Sequence, residues 1–254
     1  MYERHLKIIE LVKHQEYVSV EKLAQHFNVT LQTIRRDINK LSKDGVLTRH
    51  HGGASSSKSV SNITYKNRKT LQIKSKTRIA KLLAEHIPEN SSLFINIGTT
   101  TEASAKALIN KKGLTVITNN INVATILTAN DTAEIVLAGG IVRKRDWGIT
   151  GEATIDFIKQ FKVDYGIIGI SGIDEDGTLL DFDYNEVRVA RTIIKNARKV
   201  FLVADNTKFD RNAIVCLCHI SEIDGFFTDI EPPKKIIEIL SASGVELFVS
   251  NPRK

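Results

Sequence analysis

Cysteine is scarce in this 254-residue chain: Cys216 and Cys218, both inside the apolar run AIVCLC, are its whole complement. So few thiols argue against a disulfide-stapled secreted scaffold. A lone C-x-C also falls short of the roughly four ligands of a structural metal site, so no metal is expected. Alternation along a strand predicts both cysteines on one face, as buried small hydrophobes. Long hydrophobic runs are missing too. No stretch reaches the about 18 apolar residues of a membrane span, so no membrane partner is expected. The opening MYERHLKIIELVKHQ is charged throughout and lacks the apolar core of a signal peptide. These absences make the cytoplasm the expected compartment.

Acid is short in one part of the chain only. Residues 1–80 hold 16 Lys+Arg against 6 Asp+Glu, whereas the remaining 174 hold 20 against 23, so the net charge of +7 lies entirely in the first third. Such asymmetry predicts a polyanion-binding head on a nearly neutral body. With 42% hydrophobic residues the chain can build one or two domains with real cores.

Three short helical patterns open the chain. RHLKIIELVKH places Ile8, Leu11 and Val12 on one stripe, with Leu6 and Ile9 widening it. SVEKLAQHF starts with Ser19 as an N-cap and buries Leu23, Ala24 and Phe27. A tight Asn-Val turn follows, and Thr30 is placed to cap a third helix. Helix, short turn, helix is the helix-turn-helix pattern. At about 100° per residue, Leu31, Ile34, Ile38 and Leu41 of the third helix fall in one core-facing sector. Gln32, Arg36, Asn39 and Lys43 fall opposite, with Thr33, Arg35 and Lys40 on the flanks and Asp37 near the core edge. The outward face thus lacks carboxylates. Amide and guanidinium groups in that pattern suit base edges and phosphates of double-stranded DNA. Arg36, central on that face, is expected to read bases, and Arg35 to lie nearer the phosphates. Gly45 then stops the helix, VLTRH reads as a strand, and His50, His51, Gly52 and Gly53 read as the tip of a β-wing.

The stretch VSVEKLAQHFNVTLQTIRRDINKLSKDGVLTRHHGGA resembles the winged helix-turn-helix of DeoR-type bacterial regulators, marked by the run Thr33-Ile34-Arg35-Arg36-Asp37 and a Gly-rich wing. The resemblance implies that Thr33, Arg35 and Arg36 contact DNA from the recognition helix and Arg49 to Gly53 from the wing. The expected DNA-facing set is Ser19, Thr30, Gln32, Thr33, Arg35, Arg36, Asn39, Arg49, His50, His51 and Gly52. Beyond this module, residues 61–80 contain six Lys+Arg and no acid. The predicted organisation is a DNA-binding domain over 1–57, a basic linker over 58–77, helical towards its end, and an α/β domain over 78–254.

In that last part SLFINI, LTVITN, AEIVLAG, YGIIGIS, KVFLVAD, DGFFTD and VELFVS read as strands. INVATILTAN, GEATIDFIKQF, VRVARTIIKNA and PKKIIEIL read as helices between them. The alternation predicts a mainly parallel α/β sheet with ligand loops at the strands' carboxyl ends. Gly98, Thr99, Thr100 and Thr101, between a strand and a helix, form a candidate anion site. Asn119, Asn120, Gly139, Gly140, Ser171, Gly172, Asp205 and Lys208 stand at other strand ends, with Asn and Asp suited to hydroxyls and Lys to phosphate. Together they describe a pocket for a small phosphorylated polyol. The carboxylates Asp174, Asp176, Asp181, Asp183 and Glu186 fail as a calcium loop, since the twelfth position from Asp174 is Asn185. Acid–base isomerisation needs one well-placed carboxylate; a turn with polar contacts to ligand is the simpler reading.

The body likewise resembles the DeoR-type sensor domain, which shares its fold with ribose-5-phosphate isomerases and implies effector binding without catalysis, so no catalytic residue or cofactor is expected. GEATIDFI, GISGIDEDGTLLDFDYNEVR and TNNINVA resemble the branch of the family concerned with glycerol 3-phosphate, which that likeness makes the expected effector. A single short recognition helix gives limited affinity, so a homo-oligomer, dimer or tetramer, is expected on repeated half-sites.

Overall fold

The computed structural model describes residues 3–15, 17–44, 46–50, 52–56, 65–209 and 211–250. Two compact units, Met1–Gln72 and Ile73–Lys254, make up the chain.

The first unit runs α1 (Glu3–Gln15), β1 (Tyr17–Ser19), α2 (Val20–Phe27), α3 (Leu31–Lys43), β2 (Leu47–His50), β3 (Gly53–Ser56) and α4 (Tyr65–Thr70). The three strands form one antiparallel sheet in the order β1-β3-β2. Ile8, Val12, Leu23, Ile34, Ile38, Leu41 and Leu47 make its core, each 2% exposed or less. Leu31 departs from the expected core sector, being 41% exposed. Helical period fixes the side a residue occupies, not how far the core extends along the axis, and the first turn of α3 overhangs it. Gly45, the expected helix stop, lies outside the described residues, as do 58–64 of the expected linker. The rest of the linker segment is α4 and the start of the next helix.

The second unit comprises α5 (Ile73–Glu85), β4 (Ser92–Ile95), α6 (Thr99–Ala107), β5 (Thr115–Thr118), α7 (Ile121–Leu127), β6 (Glu134–Leu137), β7 (Ile141–Val142), β8 (Ile149–Thr150), α8 (Glu152–Ile158) and β9 (Val163–Ile168). It continues with β10 (Gly172–Ile173), β11 (Thr178–Asp181), α9 (Tyr184–Asn196), β12 (Ala197–Val203), β13 (Val215–His219), β14 (Gly225–Thr228), α10 (Lys234–Ser243) and β15 (Glu246–Val249). Seven strands form a sheet in the order β15-β14-β12-β9-β4-β5-β6, parallel at every pairing. Alternate side chains feed two cores. Leu93, Ile95, Val116, Ile167 and Phe227 meet Ile79, Leu83, Ala105, Leu108, Val123 and Leu127 of α5–α7 and their ends. Phe94, Ile117, Ile168, Leu202 and Phe226 meet Ile155, Ile158, Val187, Ile193, Ile236 and Leu240 of α8–α10. Burial on both faces is why the inner strands β4, β5, β9, β12 and β14 read as continuous apolar runs.

Cys216 and Cys218 correct one expectation. The ladder shifts register here, Cys218 pairing with Leu179 and Cys216 with the next residue, Leu180, so the two do not share a face. Cys216 is exposed, and Cys218 is half-buried and packs against the core beside Leu217, itself 3% exposed. β13 is an outer strand of the small sheet β10-β11-β13, and the bulge at Leu217 breaks the alternation that would have put both cysteines on one side.

Candidate functional site

The recognition helix is set by its caps. Asn28, at φ 51, closes α2 in the left-handed region that Asn tolerates. Val29 N–H donates to the Ala24 carbonyl at 3.0 Å, and Thr30 Oγ1 then accepts the Thr33 N–H at 3.2 Å to start α3. Ser19 Oγ accepts the Lys22 N–H at 3.1 Å and starts α2 in the same way. Both hydroxyl oxygens therefore build the turn before they can touch anything else. With Ile34, Ile38 and Leu41 inward, Gln32, Arg35, Arg36, Lys40 and Lys43 stand exposed, and Thr33 and Asn39 half-buried. Among the described residues Arg35 and Arg36 have no ion-pair partner. Asp37 faces the other way. Burial pushes its carboxyl up, but hydrogen bonds from Arg4 (2.7 and 3.2 Å) and His5 (3.1 Å) outweigh that and hold it below the usual carboxylate range. The one acid of the helix thus pins α3 to α1, leaving the outer face cationic.

The wing rests on glycine for a measurable reason. A Cβ on Gly53 would stand 2.2 Å from the Val18 carbonyl oxygen, and the Gly52 carbonyl accepts the Val20 N–H at 2.9 Å, tying the tip to the start of α2. Arg49 is exposed beside it. His50 corrects the expected DNA-facing set: it is 7% exposed, with Nε2 2.8 Å from Ser55 Oγ and its ring against Tyr17. Strand alternation gives Arg49 the open face and His50 the covered one. His51 lies outside the described residues.

In the second unit the sheet order itself marks a crevice. From β4 the chain steps to β5 and β6, then returns to the other side of β4 with β9, β12, β14 and β15. The reversal falls between β4 and β9, and ligands of open parallel sheets bind outside the carboxyl ends at such a point. Two expected segments flank it. Gly98 to Thr101 follow β4, and Ser171 and Gly172 follow β9; a Cβ built on Gly169 would lie 3.5 Å from Thr101 Cγ2. Gly98, at φ 153, starts α6 with no side-chain cap, leaving the first amides of that helix to another acceptor. Thr99 is half-buried there, whereas Thr100 is 5% exposed. Thr101 corrects the three-hydroxyl cradle: it is fully buried and donates to the carbonyls of Asn96 and Gly98, at 2.7 and 2.8 Å.

The remaining candidates divide. Asn119 and Asn120, after β5, are both fully buried. The Asn119 amide donates to the Ile149 carbonyl at 2.9 Å, and its Oδ1 has no partner among the described residues. Asn120 caps α7 and donates to Glu102 Oε1 at 3.3 Å. Asp205, after β12, is 1% exposed and caps the turn that carries Lys208. Its burial is outweighed by Lys208, Lys76 and hydrogen bonds from Thr207, which hold the carboxylate ionised. Ser171 Oγ donates to Asp181 Oδ1 at 3.1 Å. Gly139 and Gly140 stand apart: they follow β6, the outer strand, two places from β4. Gly139 accepts the Thr154 hydroxyl at 2.8 Å and Gly140 leaves no room for a Cβ beside Thr154. Their role in this structure is the turn into the β7–β8 hairpin.

Residues 4–60 match the family described as the DeoR-like helix-turn-helix domain, and residues 71–230 the DeoR C terminal sensor domain. The chain belongs to the DeoR family. It is 52% identical over 245 residues to the glycerol-3-phosphate regulon repressor of Escherichia coli (96% of this chain, 97% of that protein). Its counterpart in Haemophilus influenzae is 47% identical over 248 residues (98% and 96%). The HTH-type transcriptional repressor CsqR of E. coli is 39% identical over 246 residues (97% and 94%). At the level of fold, a solved D-ribose-5-phosphate isomerase in complex with phospho-erythronic acid is similar over 53% of this chain and 52% of that chain, with 15% identity and a TM-score of 0.40. Membership of the DeoR family makes this a DNA-binding regulator of transcription rather than an enzyme.

In this DeoR sensor domain the structure adds residues that the motifs did not signal. Lys76 of α5 is 4% exposed and stands with Lys208 beside Asp205. Arg211 donates to the Ser171 carbonyl at 3.2 Å and covers the Phe182 ring at 5.2 Å. Glu102, 4% exposed, accepts from Asn120 and from Asn122 at 3.1 Å, and Asn122 also donates to the Asp146 carbonyl at 3.1 Å. Arg143 pairs with Asp146 at 2.7 Å, Glu186 at 2.8 Å and Asp183 at 3.1 Å. Burial opposes its charge, yet the three carboxylates raise its pKa further above the ordinary arginine value. The acidic run thus resolves into internal contacts. Asp174 and Asp176 shape the β10–β11 turn, Asp181 holds Ser171, and Asp183 and Glu186 hold Arg143. Among the described residues no group of three or more His, Cys, Asp or Glu is placed to hold a metal, and no helix is long and apolar enough to cross a membrane.

Proposed function

We propose that this DeoR-family chain represses genes of glycerol and glycerol 3-phosphate metabolism in the cytoplasm and is released from operator DNA when its sensor domain binds glycerol 3-phosphate. The observation that carries the reading is the 52% identity to a glycerol-3-phosphate regulon repressor, which spans both units rather than the reading head alone. The geometry supports it at each end. Gln32, Thr33, Arg35, Arg36 and Asn39 on α3 and Arg49 and Gly52 on the wing form the DNA face. At the β4–β9 crevice, the open amides at Gly98 to Thr100 receive the phosphate. Asn119, Ser171, Gly172, Asp205 and Lys208 supply donors and acceptors for a short polyol. Release requires that the metabolite bind the DNA-free conformation more tightly than the DNA-bound one. A homo-oligomer, dimer or tetramer, places two recognition helices on repeated half-sites.

A thermal-shift screen of the full chain against phosphorylated metabolites tests the effector assignment. A ligand that binds the native state raises apparent stability by mass action. Glycerol 3-phosphate should give the largest shift and glycerol or inorganic phosphate alone little. A larger shift with a hexose phosphate would assign the crevice to a different sugar phosphate.

A further inference from the structure

Four large apolar side chains are exposed on the outer strand β6 and the hairpin that follows it. Leu137, closing the outer strand β6, is 43% exposed; Ile141 on the following hairpin is 73% exposed, Val142 44% and Trp147 53%. Among the described residues β6 pairs with β5 along one side only, so its other side offers strand hydrogen-bonding groups as well. Because neighbouring strand residues point to opposite faces, Ile141 and Val142 make both faces of the short arm apolar. The arm is held in place nonetheless. Ile141 pairs with Thr150 and Val142 with Ile149, and Arg143 at its turn is gripped by three carboxylates. Trp147 sits at φ 61, a backbone region that bulky residues rarely enter. A stiff arm with bare apolar faces beside an open strand is a docking element; left uncovered it would template aggregation.

We propose that a second copy of this chain docks on this edge, β6 with the β7–β8 arm, about a two-fold axis. Charge favours a like partner. Lys144 at the arm's tip and Glu134 on β6 are both exposed, and neither has an ion-pair partner among the described residues. In an isologous interface each copy's cationic tip answers the other's acidic strand, and closing the edge on itself leaves no strand open. This surface rests on the homo-oligomer proposed above.

Trp147 is the sole tryptophan of the chain, so its emission reports on the β7–β8 arm. The full chain is followed across a dilution series by sedimentation and by tryptophan emission. Association should carry a shift of emission to shorter wavelength. Ile141→Asp, at a site open enough to tolerate the change, should weaken association by roughly tenfold or more and abolish the shift. Ile214→Asp, 69% exposed but outside the patch, should do neither. A chain monomeric throughout the series overturns both this surface and the oligomer. Association with unchanged emission, or association that survives Ile141→Asp, overturns the surface alone. So does emission that moves only when DNA or a phosphorylated metabolite is added.

Discussion

Arg4 and Asp37 are joined across 33 residues of chain by two hydrogen bonds, from Nε at 2.7 Å and Nη2 at 3.2 Å. The acid of the Thr-Ile-Arg-Arg-Asp run thus serves the fold, holding α3 against α1 at the angle from which its neighbours face outward. Asp37→Ala should destabilise the first unit by about 1–3 kcal/mol, because a charged donor pair loses its acceptor in a mostly buried place. Chemical denaturation followed by circular dichroism checks this. The pH sign follows from the lowered carboxyl. Its contribution is complete above the unfolded value, about 3.9, and is lost as pH falls through the lower folded value. Acid sensitivity in that window should be weaker in Asp37→Asn than in wild type.

Arg36 is exposed on the outward face of α3 and has no ion-pair partner among the described residues. If it contacts a base directly, Arg36→Ala should cost about 1–3 kcal/mol at one operator position and relax the preference there. A uniform loss over all sequences, with a shallower salt dependence, would make it a phosphate contact instead. Arg35→Ala should show that second pattern. Binding to a set of single-base operator variants at two salt concentrations separates the two.

His50 supports the wing from inside. His50→Ala should lower stability by about 0.5–1.5 kcal/mol through its lost hydrogen bond with Ser55. It should leave the sequence preference of the folded protein unchanged. Unfolding curves and operator titrations of the same preparation give both numbers.

Arg143 holds three carboxylates in a site that is 11% exposed at its own side chain. Arg143→Met leaves those charges to face one another, and breaking a buried pair in this way costs about 3–5 kcal/mol. Differential scanning calorimetry should show the loss in the transition of the second unit, with that of the first unmoved.

The seven strands of the large sheet and the helices between them were all legible, because burial on both faces of the inner strands writes an apolar run that few other elements produce. The inward sector of α3 was legible from Ile34 to Leu41 for the same reason of period. Leu31 and His50 were not. Periodicity assigns a side to a residue but not the presence of a neighbour on that side. The place of Gly98 and Thr99 between a strand and a helix was legible from the strand–glycine–helix order. Their pairing with Ser171 and Gly172, and the distance of Gly139 and Gly140 from them, depend on strand order, which no local pattern records. Arg143, Asp146, Asp183 and Glu186 meet from two elements about 40 residues apart, so Arg143 and Asp146 gave no local signal, and Asp183 and Glu186 read as polar contacts to a ligand rather than as partners of an arginine. Lys76 lay in a stretch read as a basic linker, where its burial left no mark in composition.

The central claim is metabolite-controlled binding to specific DNA. Its most direct test is a titration of the full chain onto DNA from upstream of glycerol-metabolism genes, at fixed ionic strength, with and without glycerol 3-phosphate. The account predicts tight binding to that DNA over a scrambled duplex, and an affinity that falls on addition of glycerol 3-phosphate but not of glycerol. Equal affinity for the scrambled duplex, or binding indifferent to the metabolite, would contradict it.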